Sequence, residues 1–174
     1  MKLVLRDFET FPAHVCLEAE PGTLPVDYPG VVEVGRVTVD LDIQKSGEEF
    51  FCQGQVAAEV GVECSRCLVR FEEQLHGETD FIVCSYDTWV EAHAEAEDDE
   101  EYVFYEGRSL EVDLGEPVRQ AVIVALPMTP LCREDCKGLC PKCKINQNEQ
   151  TCDCAFDDVD PRWNKLRDLR GESD

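Results

Sequence analysis

The sequence predicts an α+β protein: an antiparallel β-sheet or partial barrel packed on one main helix, then a ribbon-like cysteine cluster and a short terminal helix. Three observations carry this. Apolar and polar residues alternate in several stretches between positions 37 and 83, a helical spacing follows at 114–126, and six of the eleven cysteines fall within residues 132–154.

At 174 residues the chain fits one domain, able to bury roughly 70% of its unfolded surface without help from a metal. The net charge is −22, unevenly spread: residues 1–130 carry 8 Lys and Arg against 28 Asp and Glu, and residues 131–174 carry 8 against 10. The expected organisation is an acidic, strand-rich body at 1–130 with its helix at 114–126. A cysteine-rich segment at 131–174 packs on that body. A body this negative repels phosphate backbones and draws basic partners. The opening M-K-L-V-L-R-D breaks its apolar run at Arg6, so it is not expected to act as a signal peptide, and no stretch approaches membrane-span length. The expected compartment is the cytoplasm, where thiols stay reduced and clustered cysteines bind metal rather than pair.

In chain order, Leu3–Arg6 reads as a short opening strand. Pro12, Pro21, Gly22, Pro25, Pro29 and Gly30 then mark an irregular lead. Val37, Val39, Leu41 and Ile43 alternate with Thr38, Asp40 and Asp42 as in a half-buried strand. The different phase at Val32 and Val34 makes Gly35 a candidate bulge. Phe50, Cys52, Val56, Ala58, Val60 and Val62 share one face of a second strand; Val69, Phe71, Leu75, Phe81 and Val83 share one face of a third. The two form a long antiparallel hairpin with Cys64 and Cys67 at its tip. Residues 91–101, with seven acids and no base, read as a solvated loop. Residues 102–105 and 109–112 read as a small hairpin through Gly107 and Arg108. Asp113 and Glu116 form a capping box for the helix that places Leu114, Val118, Val122, Ala125 and Leu126 on one side and stops before Pro127. A last helix starts at Asp160 and Pro161, buries Trp163, Leu166 and Leu169, and stops at Gly171. Trp89 is isolated.

The chemistry lies in the cysteines. Residues 132–154 read C-R-E-D-C-K-G-L-C-P-K-C-K-I-N-Q-N-E-Q-T-C-D-C, and residues 64–67 read C-S-R-C. A two-residue gap lets both sulfurs of a tight turn face one ion, as at Cys64 and Cys67 and at Cys140 and Cys143. Gly138 allows a positive φ before the second turn, and Pro141 stiffens it. Cys152 and Cys154 face one ion only if the chain turns between them. With Cys132 and Cys136, the eight thiols make up two four-thiolate zinc sites of structural type. His14, His76 and His93 are scattered away from them, and four thiolates leave a poor Lewis acid. An iron–sulfur cluster is the alternative cofactor. For Cys64 and Cys67 the rival is a redox pair, which ordinarily needs a helix N-terminus beside it; strands flank this one. Cys16, Cys52 and Cys84 read as small packing residues. Lys137, Lys142 and Lys144 interleave with the tail cysteines, and zinc knuckles of this kind contact single-stranded RNA. Nothing stands out as a nucleophile–base pair or phosphate loop, so no enzyme activity and no small-molecule substrate are expected.

Three pieces in this order resemble the YceD family of bacterial and plastid proteins: E-C-S-R-C-L at 63–68, the capped helix running into A-L-P-M-T-P-L at 125–131, and C-K-G-L-C-P-K-C at 136–143. The resemblance implies a role in accumulation of large-subunit ribosomal RNA and ribosome assembly, with no defined reaction. It places the family's first motif on Cys64, Arg66 and Cys67. It also implies that Cys64 and Cys67 share an ion with Cys132 and Cys136, leaving Cys140, Cys143, Cys152 and Cys154 for a second. Lys144 departs from the glycine that family members often carry there. The expected function is a non-enzymatic zinc-binding assembly factor that meets large-subunit ribosomal RNA or a basic large-subunit ribosomal protein, with Arg66, Lys137, Lys142 and Lys144 as contacts. The alternative is a redox-regulated zinc–thiolate switch.

Overall fold

The computed structural model describes residues 1–92, 102–105 and 110–154. It is mostly sheet with a few helices. Strand β1 (Lys2–Val4) leads through a 3-10 turn (Leu5–Asp7) to β2 (Ala13–Ala19), β3 (Val31–Ser46), β4 (Glu49–Glu63) and β5 (Arg70–Ser85). Helix α1 (Tyr86–Ala92), β6 (Tyr102–Tyr105), β7 (Glu111–Asp113) and α2 (Gly115–Ala125) follow. Five strands form one sheet in the order β2-β3-β4-β5-β6, and β1 pairs with β7 in a second sheet.

The β4–β5 hairpin has the expected register, from Phe50 opposite Val83 to Glu63 opposite Arg70. Its core face carries Phe50, Cys52, Val56, Ala58, Val60, Val62, Leu75, Phe81 and Val83, all buried with Val37, Val39, Leu41 and Ile43 of β3. Period-2 alternation thus sorts the faces as the pattern predicts, except at Val69, which precedes β5 and is exposed. In β3 the register slips twice: Val34 faces Val60 while Val37 faces Ala58, so Gly35 and Arg36 together oppose Glu59. A Cβ at Gly35 would lie 3.2 Å from both Cβ and O of Glu59, and the bulge sits where the apolar phase changes.

Four expectations are corrected. Residues 13–19 are not irregular but form β2, paired along its length with β3. Ala13, Val15, Leu17 and Ala19 pack against the core as a half-buried edge. Residues 102–105 do not form a hairpin with the segment after them: β6 joins β5 in parallel and β7 joins β1, so the main sheet is mixed rather than antiparallel. The capping box does not close. Asp113 Oδ1 accepts the Gly115 N–H at 2.9 Å, but the Glu116 carboxylate accepts from Arg119 and Gln120 instead of reaching back. Trp89 is not isolated: Tyr86, Tyr102 and Phe104 ring it, with centroids 5.9–6.4 Å away.

Val118, Ala121 and Val122 of α2 join the sheet's buried cluster. The backbone contact is close enough at Gly77 that an added Cβ would sit 2.8 Å from the Ala121 carbonyl oxygen. The helix stops at Ala125, before Pro127, as the residue-before-proline rule requires. No helix among the described residues is long and apolar enough to cross a membrane. The acidic run from residue 93 onward and the terminal helix with Trp163, Leu166 and Leu169 lie outside the described residues.

Candidate metal centre

Strands β4 and β5 end in a tight turn that repeats, bond for bond, in the tail. At the hairpin tip the Cys64 N–H donates to the Val69 carbonyl (2.9 Å) and the Leu68 N–H to the Cys64 carbonyl (2.9 Å). In the tail the Cys140 N–H donates to the Ile145 carbonyl (2.9 Å) and the Lys144 N–H to the Cys140 carbonyl (2.8 Å). The residue after the second cysteine takes a left-handed conformation in both turns, Leu68 at φ 59° and Lys144 at φ 63°. That conformation is what makes glycine common at such positions, and this chain places a side chain there twice.

The tail wraps the hairpin tip. Ser65 N–H donates to the Pro130 carbonyl (2.9 Å) and Leu139 N–H to the Arg66 carbonyl (3.0 Å). The Arg66 guanidinium donates in turn to the Cys136 carbonyl at 2.9 Å. Gly138, with φ 76°, lies so near that a Cβ there would sit 2.9 Å from the Arg66 carbonyl oxygen. Only a residue without Cβ permits both the angle and the approach.

These contacts gather the eight thiols into two sets of four. Cys64, Cys67, Cys132 and Cys136 form an inner tetrad, and Cys140, Cys143, Cys152 and Cys154 an outer one. Within each, all sulfurs lie within 4.8 Å of one another. Cys64 and Cys136 are 3.8 Å apart and Cys67 and Cys132 3.6 Å. Four sulfurs at the corners of a tetrahedron about 2.3 Å from one ion would be about 3.8 Å apart, so the inner tetrad fits a single tetrahedral cation. Cys64, Cys67, Cys136 and Cys140 are buried, whereas Cys143 is exposed. Cys152 and Cys154 both reach the outer tetrad, as a turn between them requires.

Backbone donors tune the sulfurs. Burial pushes the Cys64 thiol up, but the N–H groups of Cys132, Cys67 and Arg66 outweigh it and bring it down to about 6. Cys140 is likewise lowered to about 6, chiefly by the Cys143 N–H and then by that of Lys142 against burial. Cys132 is pushed up to about 12 by burial and by its bonds to Cys67 and Cys64. Cys154 reaches about 12 through Cys143 and then burial. Within each set the backbone and amide donors favour ionisation of some sulfurs, Cys64 and Cys136 in the inner and Cys140 in the outer, while Cys67, Cys132, Cys152 and Cys154 are raised. A shared divalent cation is what lets all four ionise together.

One participant escaped sequence reading. Asn148 Nδ2 donates to Cys136 Sγ at 3.3 Å, and its Oδ1 accepts the Lys137 N–H at 2.8 Å. Burial raises the Cys136 thiol, but this amide and the Gly138 N–H prevail and lower it. The polar run I-N-Q-N-E between the cysteines carries no spacing that singles it out. Of the expected contact residues, Arg66 binds tail carbonyls, while Lys137, Lys142 and Lys144 are exposed on the tail. His14 bridges Asp40 and Asp42 on the sheet at 2.9 and 3.1 Å, His76 lies on β5, and neither belongs to a tetrad. Cys52 and Cys84 are buried as expected, and burial pushes the Cys52 thiol up to about 12. Cys16 is exposed, because it falls on the outward face of β2.

A family model described as large ribosomal RNA subunit accumulation protein YceD matches residues 52–170. Uncharacterized proteins of Mycobacterium tuberculosis and Mycobacterium bovis are each 29% identical over 157 residues, covering 88% of this chain and 72% of theirs. A protein of Arabidopsis thaliana named large ribosomal RNA subunit accumulation protein YCED homolog 1, chloroplastic, is 26% identical over 167 residues, covering 83% of this chain and 50% of its own length. No solved structure matches.

Proposed function

The chain belongs to the YceD family, and from that premise we propose that it is a non-enzymatic, zinc-binding factor for large-subunit ribosomal RNA accumulation, acting during ribosome assembly in the cytoplasm. The observation that carries this reading is that the family match, residues 52–170, spans all eight clustered cysteines. The zinc assignment is supported by the sulfur spacing. Cys64 to Cys136 at 3.8 Å suits one ion, whereas a multi-iron cluster would interpose several atoms between its ligands. The non-enzymatic assignment is supported by saturation, since four thiolates leave no open position for a substrate or activated water. In this reading the ions hold the tail to the hairpin tip. The acidic body meets a basic ribosomal protein, and Lys137, Lys142 and Lys144 face ribosomal RNA.

The test is sedimentation. In lysate at low salt the protein co-migrates with large-subunit precursors, and its depletion lowers large-subunit ribosomal RNA relative to small-subunit. Absence from those fractions at low salt overturns the assembly role, and turnover of purified ribosomal RNA overturns the non-enzymatic one. The exposed Cys143 favours a second reading, in which oxidation of the outer tetrad releases zinc and changes partner binding. A peroxide titration that frees zinc without altering association rejects it.

A further inference from the structure

The segment linking the outer cysteines does more than connect them. Residues 144–151 run from Cys143 to Cys152, so an ion in the outer tetrad closes them into a loop. That loop lies against the strip joining the two tetrads. Leu139 pairs with Asn146 as an isolated β-bridge, Gln147 N–H donates to the Gly138 carbonyl at 2.9 Å, and Cys140 N–H donates to the Ile145 carbonyl at 2.9 Å. From it Asn148 reaches an inner sulfur, with Nδ2 3.3 Å from Cys136 Sγ. The orientation of its amide is dictated. The Lys137 N–H can only donate, so Oδ1 must face it (2.8 Å) and the NH₂ group must face the sulfur. Asn146 then locks the side chain, its Oδ1 accepting from Asn148 N at 3.0 Å and from Asn148 Nδ2 at 2.8 Å.

We infer that the outer site controls how firmly the inner site keeps its ion, with Asn148 as the positioning residue that couples them. An N–H···S bond stabilises a ligating thiolate and fixes the direction of its lone pair, and such supporting contacts typically change metal retention by about 10–100-fold. Here the donor belongs to a loop closed by the other ion. Filling the outer tetrad therefore strengthens the inner one, and by linkage the reverse holds.

This rests on the zinc reading, and one experiment separates the two. The full chain is loaded with heavy-isotope zinc and diluted into excess natural-abundance zinc, which keeps both tetrads filled, while native mass spectrometry follows the heavy ions. Wild type holds two ions, exchanging in a fast outer phase and a slow inner phase. Cys143→Ser keeps one ion, which exchanges about 10–100-fold faster than the wild-type slow phase. Asn148→Ala keeps two ions and accelerates the slow phase similarly. Asn148→Asp, which retains the acceptor for Lys137 but loses the donor to sulfur, behaves like Asn148→Ala. In the cobalt-substituted chain Asn148→Ala also moves the sulfur-to-cobalt charge-transfer band to longer wavelength, a change that loosened packing alone does not produce. An inner phase at the wild-type rate in both Cys143→Ser and Asn148→Ala overturns the coupling and leaves the zinc reading standing. Failure of wild type to take up zinc overturns the reading itself.

Discussion

The turn at Cys64 and Cys67 and the turn at Cys140 and Cys143 close with the same pair of backbone hydrogen bonds, yet the first grows out of strands of 15 and 16 residues while the second is held among tail segments. In the inner tetrad Cys64, Cys67 and Cys136 are 0%, 5% and 3% exposed, whereas the outer tetrad presents Cys143 to solvent. The turn is thus a portable unit that supplies N–H groups to sulfur wherever it is placed. Its surroundings decide whether an ion held there would join the hairpin tip to the tail or join tail segments to one another.

The largest effect expected is from breaking the inner tetrad. Structural zinc supplies roughly 10–16 kcal/mol in small peptides. Cys64→Ser should therefore lose an ion, free the tail to protease and lower the melting temperature by more than about 10 °C, whereas Cys143→Ser should lose an ion but shift melting of the body by less than about 5 °C. Calorimetry with metal counting checks both, and equal shifts would erase the distinction. Next in size is Gly138→Ala, which places a Cβ 2.9 Å from the Arg66 carbonyl at φ 76°. It should cost about 1–3 kcal/mol, read as loss of hydrogen-exchange protection at Leu139. Smaller and opposite in sign, Lys144→Gly removes a left-handed side chain and should stabilise the outer turn by up to about 1 kcal/mol, measured as slower zinc exchange there.

The smallest is a control remote from both turns. Asp113 is held below the usual carboxylate range, first by the Gly115 N–H. A depressed folded pKa contributes stability that is present above the unfolded value and lost as pH falls through the folded one. Asp113→Asn should cost about 0.5–1 kcal/mol near neutrality, at the low end for a cap because the side chain is exposed. The difference from wild type should vanish as pH drops below the normal carboxylate range. Acid titration of melting temperature checks this, and zinc content should not change.

The difference between strands and tail also explains what could be read from the sequence. The hairpin was legible because Phe50 to Val62 and Phe71 to Val83 alternate over many residues, and a long period-2 run has one self-consistent pairing. The thiol turns were legible from their two-residue gaps. What escaped lacked a local signature. In β2, Ala13 and Ala19 are too small to announce a buried face, and the prolines around them masked the alternation. The parallel addition of β6 depends on a tertiary choice that four residues, Tyr102–Tyr105, cannot encode. Asn148 could not be foreseen, because its partner Cys136 is defined by how the loop folds back and not by spacing.

The thiols of the inner tetrad are far apart along the polymer: 72 positions separate Cys64 from Cys136, and 65 separate Cys67 from Cys132. On a translating ribosome adding roughly 5–20 residues per second, the tip's two thiols are made about 4–14 s before Cys136. Through that interval a nascent chain owns half a chelate. An ion there would gain its full ligand set only after synthesis has passed Cys136 and α2 has turned the chain back, so the order of translation would set when the centre can close.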